Sequence, residues 1–308
     1  MDSAAGPVAV ISGSLSSGDI HGGWKARWGI GRMSYIVPPG LYAIGVPQHD
    51  SPVLVTANYK MSYDLVRRAM TARNVWLLVL ETYGINVWCA AGKGTFGTGE
   101  LVRRIERCGL SRIVSQRKLI LPVMGAAGVK SLEVKKRSGF EVVFATLRIE
   151  DLPAFLDNGM TATPEMRNLT FSTRERLILT PIEVVGGMKS LLYTGLPLAL
   201  LSGFSHGSFS LQRMLAALAL YVLAVISGTF AFPLLLPLLP GRMFALKGAL
   251  VGCGCSLVCA AFLGLSGFAG RRELSALVLL MTAISAFYAM NFTGRAHFIS
   301  WRTPEGEV

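Results

Sequence analysis

Cys89 is the residue of this chain best placed to do chemistry. It stands in residues 84–101, GINVWCAAGKGTFGTGEL, between an apolar turn and a glycine-rich loop carrying Lys93. Asn86, three residues ahead, suits the cap of a short helical turn, where its side chain accepts from a free backbone N–H. A helix N-terminus and a neighbouring lysine both favour thiolate over thiol. Lys93 reads equally well as a solvated surface charge. A thiolate is a soft ligand for electron-rich metals. Ala90, Ala91, Gly92 and Gly94 are small, so a turn built this way can lie flat against something large and planar. Val87, Trp88 and Thr95 complete the local set, with Trp88 read first as core packing and second as a stacking surface. Thr56 and Gly125 join it as crevice candidates, because each follows an apolar run that reads as a strand.

Several chemistries compete for this stretch. A phosphate loop of the form GxxxxGK[ST] would need glycine at 87 and Ser or Thr at 94, where the chain has Val87 and Gly94. Gly92, Gly94 and Gly97 do fit GxGxxG. They follow a Trp-Cys-Ala-Ala turn and not a strand, however, and no acidic residue stands about 20 positions on. Cys–His catalysis needs a histidine partner, and the first 188 residues offer only His21 and His49. A buried structural cysteine is the plain alternative, since free Cys is among the most buried residue types.

The elements that must position Cys89 are legible as alternating strands and helices. Val53–Ala57, Val75–Leu80, 118–123 and 140–146 are short apolar runs that read as strands, and 176–184 holds a fifth. Residues 62–72, 98–108, 129–137 and 149–156 have helical character, with Ser62 a candidate N-cap and Gly109 and Gly139 as stops. Such alternation predicts a mostly parallel sheet covered on both faces, with ligands at the carboxyl ends of its strands. Residues 84–101 follow the second strand, so they belong at that end, as does the loop at 125–128. Residues 1–23, rich in Gly, Ser and Ala, are expected to be a flexible arm, and 24–52 an ordered cover of short strands and turns.

The 308 residues are unevenly charged. Residues 1–188 hold 22 of the 30 Lys and Arg and 15 of the 18 Asp and Glu. The remainder is apolar, and mean hydropathy over the chain is +0.49. Residues 214–232, 248–270 and 274–292 run without charge for the length of a membrane span. Residues 190–204 are a shorter first span, and 233–240 (PLLLPLLP) either extend the second span or form a fifth. The expected organisation is therefore an arm (1–23), an α/β domain (24–188), an all-α transmembrane domain of four or five spans (189–293) and a tail (294–308). The net charge of +12 suits a juxtamembrane surface, and no zinc-finger spacing or aromatic-interleaved basic repeat points to nucleic acid. Of five cysteines, Cys253, Cys255 and Cys259 lie inside a span, where they read as small packing residues or as soft ligands. Cys89 and Cys108 form neither a disulfide framework nor an iron–sulfur spacing.

Residues 86–93, NVWCAAGK, resemble the cap-helix signature N(V/I)WCA(A/G)GK of the corrinoid protein of the mercury-methylation pair. ARWGIGRMSY, SPVLVTANYK, GTFGTGEL and TPEMR are similar to that family as well, so the likeness covers about residues 24–185. A related family is the large subunit of the corrinoid/iron–sulfur protein of acetyl-CoA synthesis, whose iron–sulfur module and barrel this chain lacks. The resemblance implies a Rossmann-like corrinoid-binding domain and a base-off corrinoid contacted by Asn86 through Thr95, with Cys89 as the lower axial ligand of cobalt. A thiolate there would favour release of methyl as a carbanion equivalent or radical, the form an electrophile such as Hg(II) accepts. The resemblance further implies a ferredoxin with two 4Fe–4S clusters as reductant, and a methyltetrahydrofolate-type donor or its methyltransferase. It also implies a multi-pass protein of the cytoplasmic membrane with its corrinoid domain in the cytoplasm. A corrinoid methyl carrier of acetyl-CoA or one-carbon metabolism, and a membrane-tethered nucleotide fold without cobalt, are the alternatives.

Overall fold

A computed structural model describes residues 1–168, 172–205, 207–262 and 271–296. The chain divides into two compact units, Met1–Leu169 and Thr170–Val308. The first is mixed α/β and the second is helical.

The sheet of the first unit is built on β6 (Val75–Leu80), in which all six residues are buried. Side chains alternate along a strand, so Trp76, Leu78 and Leu80 enter one core while Val75, Leu77 and Val79 enter the other. A strand apolar on both faces must be covered on both faces, which is the usual condition of a parallel sheet. β5 (Val53–Ala57), also wholly buried, pairs parallel with β6. β7 (Lys118–Leu121) and β8 (Glu141–Phe144) continue the parallel run on the β5 side. On the other side β4 (Gly40–Ile44) pairs antiparallel with β6, and β3 (Ala9–Ile11) pairs parallel with β4. The six-stranded order is β3-β4-β6-β5-β7-β8. A small hairpin, β1 (Asp2–Ser3) with β2 (Gly6–Pro7), precedes it.

The helices fill the two layers. α2 (Lys60–Ala69) packs Tyr63 and Val66 into one core, and α7 (Leu152–Asp157) adds Phe155. α3 (Val87–Gly92), α4 (Thr98–Arg107), α5 (Leu110–Ile113) and α6 (Ser131–Ser138) serve the other core, with Phe96 completely buried between them. Burying one such side chain contributes about 2 kcal/mol. Gly109 (φ 58°) and Gly139 (φ 76°) take left-handed conformations where α4 and α6 end, as expected of helix-stopping glycines.

Three expectations fail here. Residues 1–23 are not an arm. They hold β1, β2, β3 and most of α1 (Ser17–Arg27), which starts at a capping box between Ser16 and Asp19. The glycines and serines hid this order because α1 is fixed by charge and not by an apolar stripe. Lys60 and Arg67 of α2 reach Asp19 at 2.5 and 2.6 Å and also hold Asp64. Burial opposes the charge of Asp19, but hydrogen bonds from Lys60, Ser16 and Arg67 outweigh it and hold the carboxyl well below the usual range. Second, Ser62 is not a cap: α2 begins at Lys60 after Tyr59. Third, the apolar run at 176–184 is no part of the α/β domain. It lies inside the helix Thr173–Ser190, which a capping box between Ser172 and Glu175 starts, so the second unit begins nearly 20 residues before the expected boundary.

Among its described residues the second unit contains four helical stretches long and apolar enough to cross a membrane: Thr173–Gly203, Leu211–Leu238, Phe244–Phe262 and Leu274–Phe292. Residues 233–238 extend the second stretch. Close approach rests on small residues. A Cβ added at Gly252 would lie 2.4 Å from the Met281 carbonyl, and one at Gly248 would lie 2.4 Å from the Ala289 Cβ. Cys255 and Cys259 pack among apolar side chains of this unit, and no group of three metal-ligating side chains forms among the described residues. The expected tail lies outside the described residues from 297 onward.

Candidate functional site

The candidate site forms at the carboxyl end of β5, β6 and β7, and its geometry starts from one buried side chain. Asn58, 1% exposed, follows β5 directly. Its Oδ1 accepts from the Thr82 N–H (3.1 Å), the Thr82 hydroxyl (2.8 Å) and the Gly84 N–H (3.1 Å), while its Nδ2 donates to Glu81 Oε1 at 2.7 Å. The chain leaving β6 is thus gripped over four residues. Tyr83 (φ 55°) and Gly84 (φ 72°) then turn it sharply, and a Cβ at Gly84 would lie 2.8 Å from Ile36 Cγ2. Replacing Asn58 with alanine strands several buried donors and is expected to cost about 3 kcal/mol, read as a lower midpoint in chemical denaturation.

That turn delivers α3. Asn86 caps it as expected, its Oδ1 accepting from the Cys89 N–H at 2.9 Å, a contact that contributes about 1 kcal/mol. The Cys89 thiol is free and partly buried. Ala90 and Ala91 point inward: both are buried in the core with Phe96 and Val129. Their small size serves packing of the turn against the sheet layer and not approach of an outside group, which corrects the expectation for these two residues. Gly92, Lys93 and Gly94 are exposed, and a Cβ added at Gly92 or Gly94 would meet nothing within 4 Å. The loop beyond folds back on the turn: Phe96 N–H donates to the Ala90 carbonyl at 3.1 Å, and the Thr95 hydroxyl donates to the same oxygen at 3.4 Å.

A cavity of about 240 Å³ opens beside α3, lined on the strand side by Thr56, Leu121 and Pro122 and on the turn side by Asn86, Val87 and Trp88. Trp88 therefore stands in the wall and not in the core. Thr56 is where its strand position predicted. Gly125 is not in the wall. It is buried where a Cβ would lie 2.6 Å from Phe96 Cε1, so it makes room for that ring, and its neighbour Met124 faces the cavity instead. The cavity is smaller than most sites for whole small molecules, so a large ligand places only part of itself there. Sequence reasoning passed over Asn58. Its signal was available: a polar residue directly after the strand-like run Val53–Ala57.

The histidine alternative fails on topology. His49 lies in the loop before β5, at the amino end of the parallel strands, opposite Cys89. His21 is on α1, with Nδ1 2.8 Å from the Ser17 carbonyl of the same helix.

Comparison with known proteins finds relatives of the first unit. A family model described as the CO dehydrogenase/acetyl-CoA synthase delta subunit matches residues 32–150. The gamma subunit of the acetyl-CoA decarbonylase/synthase complex of Methanopyrus kandleri is 37% identical over 124 residues, covering 39% of this chain and 26% of the relative. The gamma subunit of Methanocaldococcus jannaschii is 33% identical over 130 residues, covering 42% and 26%. That of Archaeoglobus fulgidus is 35% identical over 125 residues, covering 40% and 26%. The chain thus spans about a quarter of the length of these relatives. The match takes in β4 through β8 and α3, and it ends before the apolar helices. The relation to the acetyl-CoA-synthesis subunits expected from the sequence is supported.

Proposed function

We propose that this protein holds a base-off corrinoid over α3 and transfers methyl from it, with Hg(II) as acceptor. The observation that carries this reading is the Asn86-capped turn that sets a free thiol at the carboxyl end of a parallel sheet, beside an apolar cavity. The donor set fits: a partly buried sulfur is a soft ligand of the kind a late metal takes. When bound, the corrinoid supplies a methyl group held on cobalt. The chain supplies the rest. Asn86 Oδ1 fixes the backbone of Cys89, and with it the direction of the sulfur, which would hold the cobalt. Gly92 and Gly94 leave open space for a flat group. Val87, Trp88 and Leu121 keep water from the buried side.

The relatives' names support a second reading, a methyl carrier for acetyl-CoA chemistry, since they belong to acetyl-CoA decarbonylase/synthase complexes. Cys89 supports Hg(II). A sulfur donor from Cys89 would make a methyl group held on the metal more electron-rich, which suits an electrophilic acceptor better than a nucleophilic one. The four apolar stretches are read as spans that hold the corrinoid domain at the cytoplasmic face of the membrane. A ferredoxin with two 4Fe–4S clusters would return the metal to its reduced state, and a methyltetrahydrofolate-type donor or its methyltransferase would supply methyl. The full chain, purified in detergent and incubated with cobalamin, is expected to keep about one corrinoid per chain through gel filtration, read by visible absorption. A colourless protein would overturn both corrinoid readings.

A further inference from the structure

Arg27, at the end of α1, and Arg32, five residues on, are both partly buried, and no carboxylate comes within ion-pair distance of either among the described residues. The treatment of other buried arginines in this unit differs. Arg67 is held by Asp19 and Asp64, and Arg104 by Glu100. Removing a guanidinium from water without an anion is costly. The two cations also meet at one place. The Arg32 guanidinium lies 5.4 Å from the centroid of the Tyr59 ring, and its Nη1 donates to the Ala26 carbonyl beside Arg27 at 3.3 Å. Burial lowers the Arg27 pKa, and the like charge of Arg32 lowers it further against the pull of Tyr59.

The third member is itself unsatisfied. Tyr59 is 4% exposed, and its hydroxyl has no hydrogen-bond partner among the described residues. A buried hydroxyl without a partner costs about 1–3 kcal/mol. Burial raises its pKa despite both guanidiniums, so at neutral pH it carries a proton to donate. Two cations without an anion and one donor without an acceptor describe a site for an oxyanion. Its place is informative: Tyr59 directly precedes α2, whose Ser62 and Leu65 line the cavity beside α3.

We propose that Arg27, Arg32 and Tyr59 form a subsite for a phosphate group at the margin of the candidate site. Two sources share this chemistry: the phosphodiester in the nucleotide loop of a bound corrinoid, which rests on the function proposed above, and phosphate on a separate molecule, which does not. The test uses the full chain in detergent in two arms. In the first, inorganic phosphate is titrated calorimetrically. Arg27→Gln combined with Arg32→Gln is expected to weaken binding by at least about tenfold, and Tyr59→Phe by several-fold with an unchanged circular dichroism spectrum. In the second arm, cobalamin is compared with cobinamide, which lacks the phosphodiester-linked nucleotide. Wild type is expected to prefer cobalamin by about tenfold, and the double variant to lose that preference while binding cobinamide as before. Arginine-dependent phosphate binding without corrinoid binding supports the subsite and sinks the corrinoid reading. Corrinoid binding that ignores both the nucleotide and the substitutions, with no arginine-dependent phosphate binding, overturns the subsite and leaves the corrinoid reading standing.

Discussion

Replacing Cys89 with alanine is expected to lower methyl transfer to Hg(II) by at least about a hundredfold, equivalent to about 2.7 kcal/mol of barrier. Corrinoid retention should stay within a few-fold of wild type. The separation between these two readouts is what the structure contributes. The backbone N–H of residue 89, not its sulfur, donates to Asn86 Oδ1, so alanine keeps the capped turn. Ala90 and Ala91 anchor that turn in the core independently. The loss is therefore confined to the donor atom. Methylmercury formed by membranes carrying the variant measures the first quantity, and visible absorption of the purified chain measures the second. Cys89→Ser should show the spectrum of an oxygen-ligated or unligated metal and recover little activity, because oxygen is the harder donor. Methylation at the wild-type rate by the alanine variant would remove Cys89 from the chemistry.

Gly128→Ala has the largest expected effect on stability. An added Cβ would sit 2.1 Å from the Phe96 carbonyl oxygen and 3.0 Å from the Ala91 Cα. Both are backbone atoms, so no side chain can swing away. Gly128 also accepts the Thr98 N–H that opens α4, at 3.2 Å. The methyl must push the loop after β7 away from the turn that carries Cys89. Overpacking of this kind costs about 3 kcal/mol, a fall of roughly 6–12 °C in Tm for a unit of this size. Gly139→Ala is the comparison. It carries a left-handed φ of 76° but open space around the new atom, so it should cost only about 1 kcal/mol. Equal melting temperatures for the two variants would show that the contact between the loop and the turn is soft. The same displacement should speed reaction of Cys89 with a thiol reagent in Gly128→Ala and not in Gly139→Ala.

What could be read from the sequence was what local pattern encodes. VWLLVL and VLVTA announced strands buried on both faces, because only such strands are apolar without alternation. Asn86 three residues before Cys89 announced a capped turn, and the structure has it. What pattern does not encode was missed. The order of residues 1–23 depends on Asp19 meeting Lys60 and Arg67, a contact over more than 40 residues that no window of sequence contains. The alanines at 90 and 91 were assigned to ligand approach because small residues signal closeness without saying to what, and Gly125 was assigned to the crevice by its strand-end position alone. In this fold the close neighbour is Phe96 or the core. The run at 176–184 is apolar enough for a strand, and only the capping box at Ser172 and Glu175 tells that it is helix.

The ionic clamp on α1 has a consequence for handling the protein. Residues 1–28 look expendable to anyone trimming the chain for expression. Cutting them would remove β3 and leave β4, an apolar five-residue strand, with its outer hydrogen-bonding edge bare. A bare edge is a template for pairing with another molecule. It would also leave Lys60 and Arg67 short of a counter-charge beside a sheet already prone to associate. A shortened version would be found in the pellet for reasons of its own making, and its insolubility would say nothing about the apolar helices at the other end.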